Sequence, residues 1–153
     1  MAAMTCPALR HHRLRTTLLL WLGLGTACVA AANPGFNGPD FSGTYECKGD
    51  DAHEGPYAST VTLQIVRDES VGKSAAYTLK MEAPGYGTYL GHVAADDRSA
   101  AIYFALTDPA PKDYGTGLAR FSKTAAGKWQ FNKYYYEPEY KGGNHGTESC
   151  VQK

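Results

Sequence analysis

From residue 42 onward, apolar and polar residues alternate with a period of two in short runs, the pattern of half-buried β-strands. The cleanest run is Thr60-Val61-Thr62-Leu63-Gln64-Ile65, which would set Val61, Leu63 and Ile65 against a core and the polar residues in water. Leu79 and Met81 repeat the pattern between Thr78, Lys80 and Glu82, and Trp129 and Phe131 alternate with Gln130 and Asn132. No long stretch carries helical spacing. Clusters of Gly, Pro, Asp and Asn punctuate the runs, and strands are predicted over 42–48, 57–67, 75–82, 88–95, 100–107, 115–123, 128–136 and 147–152.

Short strands joined in succession by modest loops predict an all-β, up-and-down antiparallel meander. Eight is also the strand number at which such a sheet closes into a compact barrel. Closure sets the first and last strands side by side, and Cys47 and Cys150 fall on those two strands at the same height. A disulfide between them would clasp the seam, closing a loop from residue 47 to residue 150. For a loop of about 100 residues the chain-entropy treatment gives about 4–5 kcal/mol. Two buried free thiols are the other reading. Zinc is poorly served, since neither cysteine has a CxxC partner.

The first 32 residues lie outside this pattern and read as a signal peptide. Arg10, Arg13 and Arg15 precede an apolar run over 16–25, and a small-residue stretch over 26–32 suits cleavage after Ala31 or Ala32. The apolar run is shorter than the roughly 20 residues that span a bilayer. Cys28 offers an alternative as a lipidated N-terminus, without the usual large aliphatic residue three positions before it. The expected organisation is a leader over 1–32, a flexible segment over 33–40 and one β-barrel domain over 41–153, in the periplasm or secreted. An oxidising compartment of this kind favours the disulfide. The leader takes three of the 15 basic residues and none of the 15 acidic ones, so the mature part is mildly acidic. That balance argues against nucleic acid, which calls for a basic footprint, and no second apolar segment suggests a membrane span.

Two resemblances rest on the first strand. Phe41-Ser42-Gly43-Thr44-Tyr45 resembles the Gly-x-Trp opening of the calycins, the lipocalin and avidin type barrels, with Tyr45 where those families carry tryptophan. That likeness implies a non-enzymatic barrel with a ligand cavity at one mouth. Tyr45-Glu46-Cys47, with a cysteine near the C-terminus, is similar to the opening of the periplasmic inhibitors of C-type lysozyme. Their inhibitory Ser-Gly-x-x-Tyr loop is not reproduced, because Ser42-Gly43-Thr44-Tyr45 is one residue short and lies on a strand.

Strand parity then sorts the loops. Connections 2–3, 4–5 and 6–7 lie at one end and are bland. Connections 1–2, 3–4, 5–6 and 7–8 lie at the other and collect nearly all the prolines, histidines and loop tyrosines. Loops on a rigid scaffold carry binding sites disproportionately, so the candidate site is this rim, with Tyr57, Tyr86, Tyr114, Tyr136, Tyr140, His53 and His145. All 11 tyrosines lie past the leader, and tyrosine supplies rigid amphipathic contact area. On the strands, as in Tyr134-Tyr135-Tyr136, β-propensity accounts for it equally well.

His53 and His145, with Asp50, Asp51, Glu54 and Glu139, offer imidazole and carboxylate ligands but no HxH or HxxxH spacing, so no metal and no cofactor are expected. His92 reads as structural. No nucleophile elbow or HExxH is present. Glu137 and Glu139 flank Pro138 on a predicted loop, a poor platform for acid–base work, and no catalytic residue is assigned. Two readings follow. The first is a small-molecule binder whose ligand enters through the rim; the second is a protein-binding module, such as an inhibitor of a hydrolase. An open interior of a few hundred cubic ångströms fits the first, and a filled one fits the second.

Overall fold

The computed structural model describes residues 35–153 as a closed antiparallel barrel. Its strands are β1 (Gly43–Asp51), β2 (Gly55–Val71), β3 (Ser74–Ala83), β4 (Gly87–Asp96), β5 (Ser99–Leu106), β6 (Tyr114–Lys123), β7 (Trp129–Glu137) and β8 (Asn144–Gln152). Each strand pairs with its successor, and β8 returns to β1 with Cys47 directly opposite Cys150. The two are disulfide-bonded, with Cα atoms 4.1 Å apart and both residues buried. The expected leader and Cys28 fall outside the described residues. Among the described residues no helix is long and apolar enough to cross a membrane.

Several elements differ from expectation. β1 runs on to Asp51 and β8 begins at Asn144, both expected in loops, because the two strands go on pairing with each other as far as Asp51 and Gly146. β2 does not stop at Arg67 but runs to Val71 through an irregularity between Val66 and Val71. The Ser70 hydroxyl donates to the Val66 carbonyl at 2.8 Å and accepts the Ala76 N–H at 3.1 Å, replacing ladder bonds lost there. The segment before β1, expected to be flexible, is held from Phe36 on. Phe36 bridges to Gly72, the Asn37 N–H reaches the Gly72 carbonyl at 2.8 Å, and Phe41 is buried.

Phe41 helps close one end of the barrel. Its ring stacks on Phe121 at 3.9 Å and meets the edge of Trp129 at 4.8 Å. Tyr45 lies entirely inside, against Phe131, and its hydroxyl donates to the Phe41 carbonyl at 2.7 Å. Trp129, expected inside with Phe131, is only half-buried, because it opens its strand at this end, under the Lys123 ammonium 3.8 Å from the ring.

The middle of the barrel is filled by a charge pair. Lys133 points inward from β7 and its Nζ stands 2.6 Å from Glu148 Oε2 on β8, both side chains almost wholly buried. The Ser59 hydroxyl donates to Glu148 Oε1 at 2.6 Å. The ammonium also lies over the rings of Phe104 and Tyr135, 5.3 and 5.2 Å from their centroids. Above it, Tyr57 and Tyr135 lie against the β1–β8 seam where Gly49 and Gly146 have no side chain. A Cβ at either glycine would come within 2.3 Å of a tyrosine ring or its hydroxyl. The sequence thus opens the seam at the height where the aromatic rings need it.

Candidate functional site

The four connections singled out from parity gather at one end of the barrel. Residues from all four, Asp51 and Glu54, Tyr86, Asp113 and Tyr140, line a single concavity with inward residues of the strands below. Its room for water centres is about 40 Å³, enough for about three water molecules. Below it lie the Lys133–Glu148 pair and the aromatic plug, so the interior is filled.

The seven rim residues divide. Tyr57, Tyr86 and Tyr140 line the concavity, with Tyr57 and Tyr86 edge to face at 6.4 Å. Tyr136 lies outside because β7 turns Tyr135 inward, and it is 46 % exposed on the outer wall. His145 faces outward on β8, opposite Tyr136 and beside the Tyr134 ring. Tyr114 does not line the concavity; its hydroxyl donates to Glu139. His53 braces the rim, its Nε2 3.0 Å from the Gly143 carbonyl. His92 is exposed on the outer wall of β4.

These braces tie the loops together. Glu139 takes Lys112 at 2.7 Å as well as Tyr114, joining loop 5–6 to loop 7–8. Glu54 takes the Tyr140 hydroxyl at 3.0 Å and the Lys141 ammonium, joining loop 1–2 to loop 7–8. Of the residues considered for a metal, His53, Asp51, Glu54 and Glu139 serve other partners, while His145 faces the outer wall. Among the described residues, one group of three ligating side chains stands within mutual reach, Cys47, Cys150 and Glu148, and its sulfurs are spent in the disulfide.

The floor of the mouth carries what loop reasoning missed: Asp51, Tyr89, Asp113, Tyr135, Glu137 and Asn144. Asp51 Oδ2 accepts from Tyr135 at 2.7 Å and from Asn144 Nδ2 at 2.8 Å, and its Oδ1 accepts the N–H groups of His53 and Glu54. Burial raises the Asp51 carboxyl, but these bonds outweigh it and hold the group below the ordinary aspartate value. Asn144 Nδ2 also donates to Glu137 Oε2 at 2.5 Å. Tyr89 donates to Asp113 Oδ2 at 2.7 Å; burial and that carboxylate push its phenol up, so it stays a donor.

Asp113 and Glu137 lie in hydrogen-bonding contact, and their surroundings favour one proton held between them. Burial, then the Asp113 charge, push the Glu137 carboxyl up to about 8, and burial raises Asp113 as well. Glu137 is no loop residue: it ends β7 on the inward face, 5 % exposed, while Glu139 lies outside. The mouth can thus hold or release one proton and can accept hydrogen bonds from a donor.

Stability should follow that proton. Glu137 keeps it in the fold to about pH 8 but loses it near 4.5 when unfolded. The stabilisation is complete below about pH 4.5 and disappears as pH rises through 8. The fold is expected to be more stable at pH 5.5 than at pH 8.5 by a few kcal/mol, at about 1.36 kcal/mol per unit, and to unfold at a correspondingly higher temperature. Glu137→Gln should flatten the difference; an equal slope in that variant would assign it elsewhere.

No protein-family model, no curated protein and no solved structure matches this chain.

Proposed function

We propose that this chain is an exported binding protein that performs no chemistry and engages a protein partner at the loop-rich mouth of its barrel. The carrying observation is the filled interior: room for about three waters, against roughly 300–1,000 Å³ in pockets that enclose small ligands. What the mouth offers instead is surface. Tyr86 and Tyr136 are exposed at its lip and outer edge. The loops are braced by Glu54, Glu139 and His53, which lowers the ordering cost of docking. The likeness of Tyr45-Glu46-Cys47 to the lysozyme-inhibitor opening supports the same class, and the buried disulfide supports an oxidising compartment.

A small molecule seated in the mouth is the second reading, favoured by the aromatic walls of Tyr57, Tyr86 and Tyr89. Native mass spectrometry of protein purified gently from its own host separates the two. The expected result is a complex heavier by a whole polypeptide. A retained adduct of a few hundred daltons, with no polypeptide, would overturn the protein-binding reading in favour of the second.

A further inference from the structure

We propose that the mouth is a socket for one cationic head group, the ammonium or guanidinium of a lysine or arginine that the partner inserts. The inference rests on the protein-binding reading and gives it a chemistry.

The carrying observation is a pair of buried carboxyls, Asp113 and Glu137, in contact with each other at the floor of the mouth. Asp113 is 7 % exposed and lines the concavity; its Oδ2 accepts from Tyr89, its side chain touches the Glu137 carboxyl, and no other described group donates to its Oδ1. A buried carboxylate oxygen left without a donor is costly, and an N–H cation supplies one.

The walls fit such a guest. Phe104 and Tyr57, Tyr86, Tyr89 and Tyr140 surround the space, and aromatic faces attract ammonium and guanidinium groups. The size fits too, since space for about three waters holds a head group but no long apolar ligand.

The charge that lines the mouth is acidic on its β1 side and on its β6–β7 side. Asp51 stands on β1, Glu54 on loop 1–2, Asp113 at the entry to β6 and Glu137 at the end of β7. The β7 cation, Lys133, is already held by Glu148 of β8. Lys112 and Lys141 at the outer lip are held by Glu139 and Glu54. The other titratable groups facing the pair are the phenols of β2, β4, β7 and the 3–4 and 7–8 loops, which are neutral donors. The mouth therefore has acidic charge to spare.

Cation and proton compete for the same carboxyl pair. An entering cation takes the place of the shared proton, which leaves to solvent, so binding should strengthen as pH rises.

The test is an NMR titration of the purified protein with Nα-acetyl-lysine methylamide, its arginine analogue and the neutral norleucine analogue, up to tens of millimolar. Lysine and arginine probes are expected to shift carboxyl and ring signals of Asp113, Glu137 and Tyr89, binding at least about tenfold more tightly at pH 8.5 than at pH 6. Norleucine should not bind there. Asp113→Asn should weaken the cations about tenfold or more, and Glu137→Gln should remove the rise in affinity between pH 6 and pH 8.5. Equal binding of norleucine, affinity indifferent to pH, or cationic probes that leave the mouth signals unmoved would each overturn the socket. A polypeptide adduct in native mass spectrometry would still stand in those cases, so the broader reading fails separately.

Discussion

Lys133→Met should destabilise the barrel by about 3–5 kcal/mol, the effect expected when one partner of a buried ion pair is removed. Glu148 would be left in the interior with its charge intact and only the Ser59 hydroxyl to solvate it. The double variant Lys133→Met/Glu148→Leu removes both charges and should recover most of the loss, because well-packed apolar replacements of a buried pair are often neutral or stabilising. Urea denaturation of the wild type, both single variants and the double variant gives the coupling directly. Singles that cost less than about 1 kcal/mol, or costs that simply add, would mean the charges reach water and the interior is not filled as described.

Reducing the disulfide, or replacing both cysteines with alanine, should cost about 4–5 kcal/mol. The loop released spans 103 residues, and the loss arises chiefly because the unfolded chain regains that freedom. Cys47 and Cys150 face each other across the only pairing that joins the two ends of the sheet, β1 with β8. For a domain whose whole stability is on the order of 5–15 kcal/mol, this is a large share. Denaturation with and without reductant measures it, with far-UV circular dichroism to follow the barrel. A change under about 1 kcal/mol would mean that the unfolded chain keeps its two ends together without the bridge, or that the bridge strains the folded seam by as much as it restrains the unfolded chain.

The fold was largely legible because strand alternation and loop spacing are local signals, and the cysteines reported the one long-range fact, the closure. The 68–72 segment misled because Asp68, Glu69 and Gly72 look like a turn, whereas Ser70 mends the ladder across an irregularity. The rim was legible as a place but not as a set of residues. Parity finds which end a loop occupies; it does not find which way its side chains turn. Tyr136 and His145 share the rim's height yet face outward.

The missed residues had a signal of their own. On β7 the inward phase set by Phe131 continues through Lys133, Tyr135 and Glu137; on β8 the phase set by Cys150 runs back through Glu148, Gly146 and Asn144. Reading polar residues as solvent-facing hid them. Charged residues in the inward phase of two adjacent strands are a mark of a buried polar network, and here Lys133 and Glu148 pair directly between β7 and β8. The meeting of Asp113 with Glu137 follows from the β6–β7 register, in which Thr116 faces Tyr136, and is hidden when both residues are placed in loops.

The central claim, that this protein meets its partner at the mouth, is tested most directly by photo-crosslinking in its host from single benzophenone side chains. Position 86 samples the mouth, position 126 the hairpin at the opposite end, and position 118 the most exposed apolar side chain of the outer wall, Leu118 at 68 % exposure. A discrete polypeptide adduct from position 86, absent from 118 and 126, is the predicted result. An adduct from 118 or 126 with none from 86 would contradict it and move the contact to the wall or the closed end.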